Sequence, residues 1–350
     1  MRGGLLTVGG RSVRSENLVT EIESLPLGYA LNVSLAPDSA AHRRVRPPPP
    51  PPSHDRRSAQ LASGFNPQPA WNLIDAGGKT ISDLVFVNCY VGTSGAWSAA
   101  DMASIDGALS KTMSDANLQT VIQQYYPARP ISSRMLPSVT HLAILGATAY
   151  KDTVEALVTE LHAAGAIGGA DAGSTVIDVL LPPGVVLSSD FSPGFVPPAA
   201  SVQSHERRVG GVIKVGPNEA ADSRHGLGGY HGSVQADGTT VYYAAGVYSE
   251  GANGIVVFDR PWKNVVATLC HELNEARTDA DVEDVNRTGD QRKLGWYSQA
   301  GGGEIGDLPI NEATDIHQVF REVPLADGSG TVPIQLMWSN KDGGPAAATA

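Results

Sequence analysis

Apolar positions along the chain follow two periods. Asp83–Val91 is a continuous apolar run of strand length. His141–Leu145, Ser174–Leu181, Thr240–Tyr248, Gly254–Asp259 and Val332–Trp338 read as further strands. Between them the spacing turns helical. In Ala99–Met113, residues Met102, Ile105, Leu109 and Met113 recur on one face, and Asn117–Tyr125 reads as a second helix. Lys151–Ala164 is amphipathic, with Val154, Leu157, Val158 and Leu161 on one side. Strands alternating with helices predict an α/β fold, a mixed sheet with flanking helices. No internal repeat is visible.

The longest periodic stretch begins at Asp259–Arg260–Pro261. Proline suits a first helical turn, and an aspartate before it can cap. At 100° per residue, Trp262, Val265, Val266, Leu269, Leu273 and Ala276 form one stripe, which is expected to face the core. His271 and Glu275 fall on roughly the opposite side, one turn apart, with Glu272 about 100° round from His271. Two ligands at i and i+4 grip a metal from one helix face, and a glutamate after the first can serve the attacking water as general base. The common pattern is HExxH; here it is HExxE, and a carboxylate is an allowed zinc ligand. The competing reading of HELNE alone is a surface helix with ordinary charges.

A zinc site needs a third protein ligand, and its histidine needs an orienting partner. Downstream, Gly301–Asp307 (GGGEIGD) places two acids after a glycine turn: Glu304 is the candidate third ligand, and Asp307 the candidate orienter of His271. Asp279, one turn beyond Glu275, is the next residue to consider. Upstream, Gly228–Ser233 (GGYHGS) offers Tyr230 and His231 as candidates to stabilise an oxyanion. The acidic run Asp279, Asp281, Glu283, Asp284 and Asp290 lacks the glycine and glutamate of an EF-hand, so calcium is left as a looser alternative to zinc.

Composition narrows the partners. A formal charge of −11 argues against nucleic acid and against an anionic membrane surface. No apolar run approaches the roughly 20 residues that span a bilayer. Cys89 and Cys270 lie far apart, each within an apolar run, so both are expected reduced and buried. The basic Ala41–Arg46 and the run Pro47–Pro52 read as a stiff linker in polyproline II, or as a ligand for an SH3-type domain. The expected organisation is a largely disordered proline-rich segment over 1–70, one α/β domain over 71–342, and a disordered tail over 343–350. The N-terminus lacks the apolar core of a signal peptide. No GxSxG nucleophile elbow is present.

Taken in order, GGYHGS (228–233), VATLCHELNEARTD (266–279), GWYS (295–298), GGEIGDL (302–308) and QLMWSN (335–340), with FVNCYVGTSGAW (86–97) and VIDVLLPPGV (176–185), resemble a group of bacterial and fungal proteins. That group carries a HExxEAxTDP–GW–GEIGD signature and is distantly similar to the plant phosphate-induced, EXORDIUM-like proteins. The resemblance covers roughly residues 80–342. It implies a zincin-like α/β fold, a metallopeptidase-type site and export. This chain departs from the group at Ala280, where proline is usual, and at Pro309 and Gly343–Gly344, where exported members carry cysteines.

The leading expectation is therefore zinc-dependent hydrolysis of a peptide or another amide or ester. His271, Glu275 and Glu304 would hold the metal and Glu272 would move the proton. The alternative is a noncatalytic, EXORDIUM-like binding or signalling protein whose metal site is structural or a relic.

Overall fold

A computed structural model describes residues 5–8, 11–14, 60–195, 222–282, 285 and 291–347. The proline run, the basic patch before it and Glu283, Asp284 and Asp290 lie outside the described residues. Leu5–Val8 pairs antiparallel with Arg11–Arg14.

The fold is α/β, with a mixed sheet between helical layers. Its strands are β1 (Asp83–Gly92), β2 (Ser132–Met135), β3 (Val139–Leu142), β4 (Thr175–Leu181), β5 (Gly229–Ala236) and β6 (Thr239–Val247). The order is β5-β6-β4-β1-β2, and β3 also pairs with β1. All pairs are parallel except the β5–β6 hairpin. A mostly parallel sheet is covered on both faces, and strand alternation divides its side chains accordingly. Phe86, Tyr90, Val176 and Leu180 pack with helix α1 (Ala99–Ser114), through Ile105, Leu109 and Met113. Val87, Cys89, Ile177 and Val179 face the other way, onto Val154, Leu157, Val158 and Leu161 of α3 (Lys151–Ala163). The short helix α2 (Gln119–Gln123) is less than the expected Asn117–Tyr125, because Asp115 Oδ1 accepts from the backbone N–H of Asn117 and Leu118 and makes a turn there.

Helix α4 (Pro261–Thr278) lies on the α1 side of the sheet. Its expected stripe of Val265, Val266, Leu269, Leu273 and Ala276 enters that core. Proline starts the helix as expected, but Asp259 does not cap it: Arg260 is the N-cap, and Asp259 Oδ1 instead meets Lys263 Nζ at 2.9 Å. Gly254–Asp259, expected as a strand, is irregular. Asn264 Oδ1 accepts from Val257 N–H and Phe258 N–H at 2.9 and 2.8 Å, supplying the acceptor that a neighbouring strand would offer.

The last segment completes the burial of α4. Helix α5 (Asp307–Glu312) is followed by the hairpin of β7 (Phe320–Pro324) and β8 (Thr331–Gln335), then β9 (Met337–Ser339) and β10 (Gly344–Ala347). Strand β10 pairs with β9 and with Gln60–Leu61. The ordered fold therefore reaches outward past the expected limits at Trp71 and 342, because the two ends of the domain hydrogen-bond to each other. Among the described residues no helix is long and apolar enough to cross a membrane.

Candidate metal centre

Every residue of α4 from Asn264 to Thr278 is buried, polar ones included, which excludes a surface helix. His271 is 0% exposed, and Glu272 and Glu275 are each 1% exposed. A helix buried all round is ordinarily apolar. Here the side away from the apolar stripe carries two carboxylates and an imidazole, and each needs a partner.

The partners come from three elements. His271 Nε2 lies 3.1 Å from Glu275 Oε2, 3.9 Å from Asp307 Oδ1 and 4.0 Å from Glu272 Oε1. Glu275 Oε1 accepts from the backbone N–H of Gly306 at 3.1 Å and of Asp307 at 3.2 Å, so the opening of α5 fixes this carboxylate. Asp307 folds back, its Oδ2 accepting from Glu304 N–H at 3.1 Å. The loop before it is held by Ile305 C=O, which accepts from Trp338 N–H on β9. From the hairpin side, His231 Nδ1 stands 3.6 Å from both Glu272 Oε2 and Glu275 Oε2.

Two glycines permit these approaches. A Cβ on Gly306 would lie 2.4 Å from His271 Nδ1, and one on Gly229 would lie 2.5 Å from Ala245 O and 3.1 Å from Glu272 Cγ. The glycines of GEIGD and GGYH are thus requirements of backbone packed against the α4 side chains.

The outer nitrogens of both imidazoles meet fixed acceptors. His231 Nε2 reaches Asp279 C=O at 3.2 Å, and a carbonyl only accepts, so Nε2 carries the hydrogen. His271 Nδ1 meets Gln335 Oε1 at 2.6 Å, while Gln335 Nε2 donates to the carbonyls of Gly306 and Leu336. That orients the amide so that Oε1 accepts and His271 Nδ1 donates. In the neutral rings, the inner nitrogens of both histidines therefore point lone pairs at carboxylate oxygens. Two lone pairs at such distances repel unless a proton or a metal ion lies between them. Glu272 Oε1, buried, has no hydrogen-bond partner. Burial draws the His271 imidazole down, but the Glu275 and Glu272 carboxylates outweigh it and push it up to about 10. Burial pushes Glu272 up, while His271 and His231 pull it back. Proton and metal thus compete for the same lone pair.

The donor atoms fit a metal ion in two groups: His271, Glu275 and Asp307, and His231, Glu272 and Glu275, with the ligand atoms of each group within 4.8 Å of one another. Imidazole nitrogen with carboxylate oxygen suits zinc and other first-row divalent ions. These buried groups can hold a metal ion.

Three sequence expectations change. Asp307, expected on the outer nitrogen of His271, lies on the inner side with Glu275, because Gln335 already occupies Nδ1. Glu304, expected as the third ligand, falls outside both donor groups; its Oε1 is 3.8 Å from His231 Nε2. Tyr230, expected at the site, points to the opposite sheet face, where it packs edge-on to Tyr243 and under Lys151. Neighbours on a strand alternate faces, so His231 and Tyr230 cannot share the site. Asp279 is the C-cap of α4, and its Oδ1 accepts from Gly295 N–H at 3.0 Å. Asp281 accepts from Ser233 Oγ at 2.6 Å, so the described part of the acidic run is tied to the backbone and to the hairpin rather than gathered round one point. Gln335 is the residue that sequence reasoning missed. Its signal was a lone amide in the buried run Val332–Leu336.

Comparison with protein-family models, with curated proteins and with solved structures finds no match for this chain.

Proposed function

We propose that this chain is a zinc-dependent hydrolase acting on a peptide or another amide or ester, with the ion held by His271 Nε2, Glu275 and Asp307. The observation that supports this reading is the fixed tautomer of His271: its Nδ1–H is engaged by Gln335, and its Nε2 lone pair faces Glu275 Oε2 at 3.1 Å, with the Asp307 carboxylate alongside. Bound zinc would polarise the scissile carbonyl and make the attacking water more acidic. Glu272 would do the proton work. Its Oε1 lies on the His271 side and has no hydrogen-bond partner. Burial, which raises its proton affinity, suits a group that takes a proton from water and returns it to the leaving amine. His231, on the far side of Glu272, would hold that carboxylate in place.

A second reading has one observation in its favour. Every donor is buried, His231 at 6% exposure being the most open, and closed sites are the mark of structural metals. On this reading the ion only ties α4 to the start of α5. The two readings are tested by incubating the zinc-loaded full chain with a mixed peptide library and following cleavage by mass spectrometry. Cleavage that Glu272→Gln abolishes supports the hydrolase. No cleavage by a chain that holds zinc supports the structural ion.

A further inference from the structure

Glu275 belongs to both donor groups, and the two histidines fall in different ones. Two ligands of one ion, each about 2.0–2.2 Å from it, can be at most roughly 4.4 Å apart. No group among the described residues, drawn with a wider limit of 4.8 Å, holds His231 and His271 together. One ion between them would therefore be ligated by only one of the two imidazoles. Each imidazole nevertheless has its outer nitrogen pinned by a fixed acceptor, as a metal-ligating histidine does. Between them, Glu275 Oε2 stands 3.1 Å from His271 Nε2 and 3.6 Å from His231 Nδ1. Its partner oxygen is held by two backbone N–H groups, and Oε2 is the atom that faces both imidazoles.

We propose that the site takes two divalent cations: one at His271, Glu275 and Asp307, the other at His231, Glu272 and Glu275, with Glu275 as the bridge. This rests on the metal-site reading above and adds a second ion to it. Paired ions in hydrolytic sites stand about 3.5–4 Å apart, a separation that one bridging carboxylate spans. The two duties of Glu272 divide between its oxygens. Oε2, on the His231 side, serves the second ion, and Oε1, on the His271 side, remains for the proton. The second position also accounts for the histidine of the glycine-flanked GGYHGS segment, whose fixed Nδ1 the one-ion arrangement leaves without a ligand role.

The test is equilibrium dialysis of the full chain against zinc, with bound metal counted by plasma mass spectrometry. The expected result is two zinc ions per chain, one in His231→Ala and one in Asp307→Asn. Circular dichroism verifies folding of each variant, and Glu272→Gln, which should also hold one, replaces His231→Ala if that variant does not fold. Manganese loading gives an independent readout, since two bridged ions produce an exchange-coupled electron paramagnetic resonance spectrum and one ion does not. One zinc per chain, unchanged in His231→Ala or Glu272→Gln, overturns the second ion and leaves the single-ion reading standing. Two zinc ions that persist in those variants overturn the assignment of ligands. No retained zinc overturns both proposals.

Discussion

The two long sides of α4 are equally buried and differently built. On one, Val265, Leu269, Leu273 and Ala276 meet the apolar residues of β4, β6 and α1. That contact is non-directional and tolerates small shifts. On the other, His271, Glu272 and Glu275 each meet a polar atom chosen by position: Gln335 Oε1, His231 Nδ1, and the N–H groups of Gly306 and Asp307. Desolvating charged groups costs more than their pairing reliably returns. An apolar replacement would serve the fold at least as well, so the polar side is best understood by what it binds.

Breaking the polar side should therefore remove function with little loss of fold, and breaking the apolar side should do the reverse. The largest effect is expected from His271→Ala, which should lose the ion it ligates and all hydrolysis together, while circular dichroism shows a folded chain. Glu272→Gln should next lower hydrolysis by about 10²–10⁴-fold, since it removes a general base, while the ion at His271 remains. Turnover at the parent rate would show that Glu272 does no proton work. Leu269→Ala, on the opposite side, should cost about 2–5 kcal/mol in denaturant unfolding through the cavity it leaves. The folded molecules should still bind zinc with unchanged stoichiometry. Gln335→Leu should weaken zinc by about 10–100-fold, the usual cost of losing the partner that orients a ligating imidazole. A chelator competition would read it, and Gln335→Glu, which keeps an acceptor, should recover part of the loss.

A change that is nil at low pH sharpens the comparison from outside the site. Asp178 sits mid-strand on β4, fully buried, and neither carboxylate oxygen has a hydrogen-bond partner. Burial pushes it well above the usual 3.8, with Asp106 and Glu272 adding to the effect. A carboxyl whose folded pKa is raised leaves stability whole below its unfolded pKa and removes it as pH rises towards the folded one. Asp178→Asn should thus match the parent near pH 4 and become the more stable protein above it. The gain should grow by up to about 1.4 kcal/mol per pH unit. Thermal melts from pH 4 to 8 would show the two curves diverging. Curves that stay parallel, or a parent that becomes the more stable protein as pH rises, would mean that Asp178 is charged in the folded protein.

Much of this was legible in the sequence, for local reasons. Apolar runs of strand length located β1, β4 and β6, which are buried on both faces, and helical periodicity located α1, α3 and α4. HELNE put His271, Glu272 and Glu275 on one helix side because helix geometry is fixed. What failed depended on contacts that the local pattern does not mark. Gly254–Asp259 has strand-like residues, but Asn264 supplies its acceptors from a helix. Which of Glu304 and Asp307 points at His271 depends on how the loop enters α5, and no spacing rule sets that. Tyr230 and His231 were separable in principle, because neighbours on a strand face opposite ways. Gln335 is 64 residues from the histidine it orients, and such a pairing leaves only the faint sign of an amide in an apolar strand.

The central claim is that buried imidazole and carboxylate groups around α4 bind zinc. X-ray absorption at the zinc edge, on the full chain loaded with zinc, tests it most directly. The account predicts a shell of nitrogen and oxygen alone at about 2.0–2.2 Å with imidazole scattering behind it, lost when His271→Ala and His231→Ala are combined. A sulfur shell at about 2.3 Å, which would place the ion on Cys270 or Cys89, or a chain that retains no zinc, would contradict it.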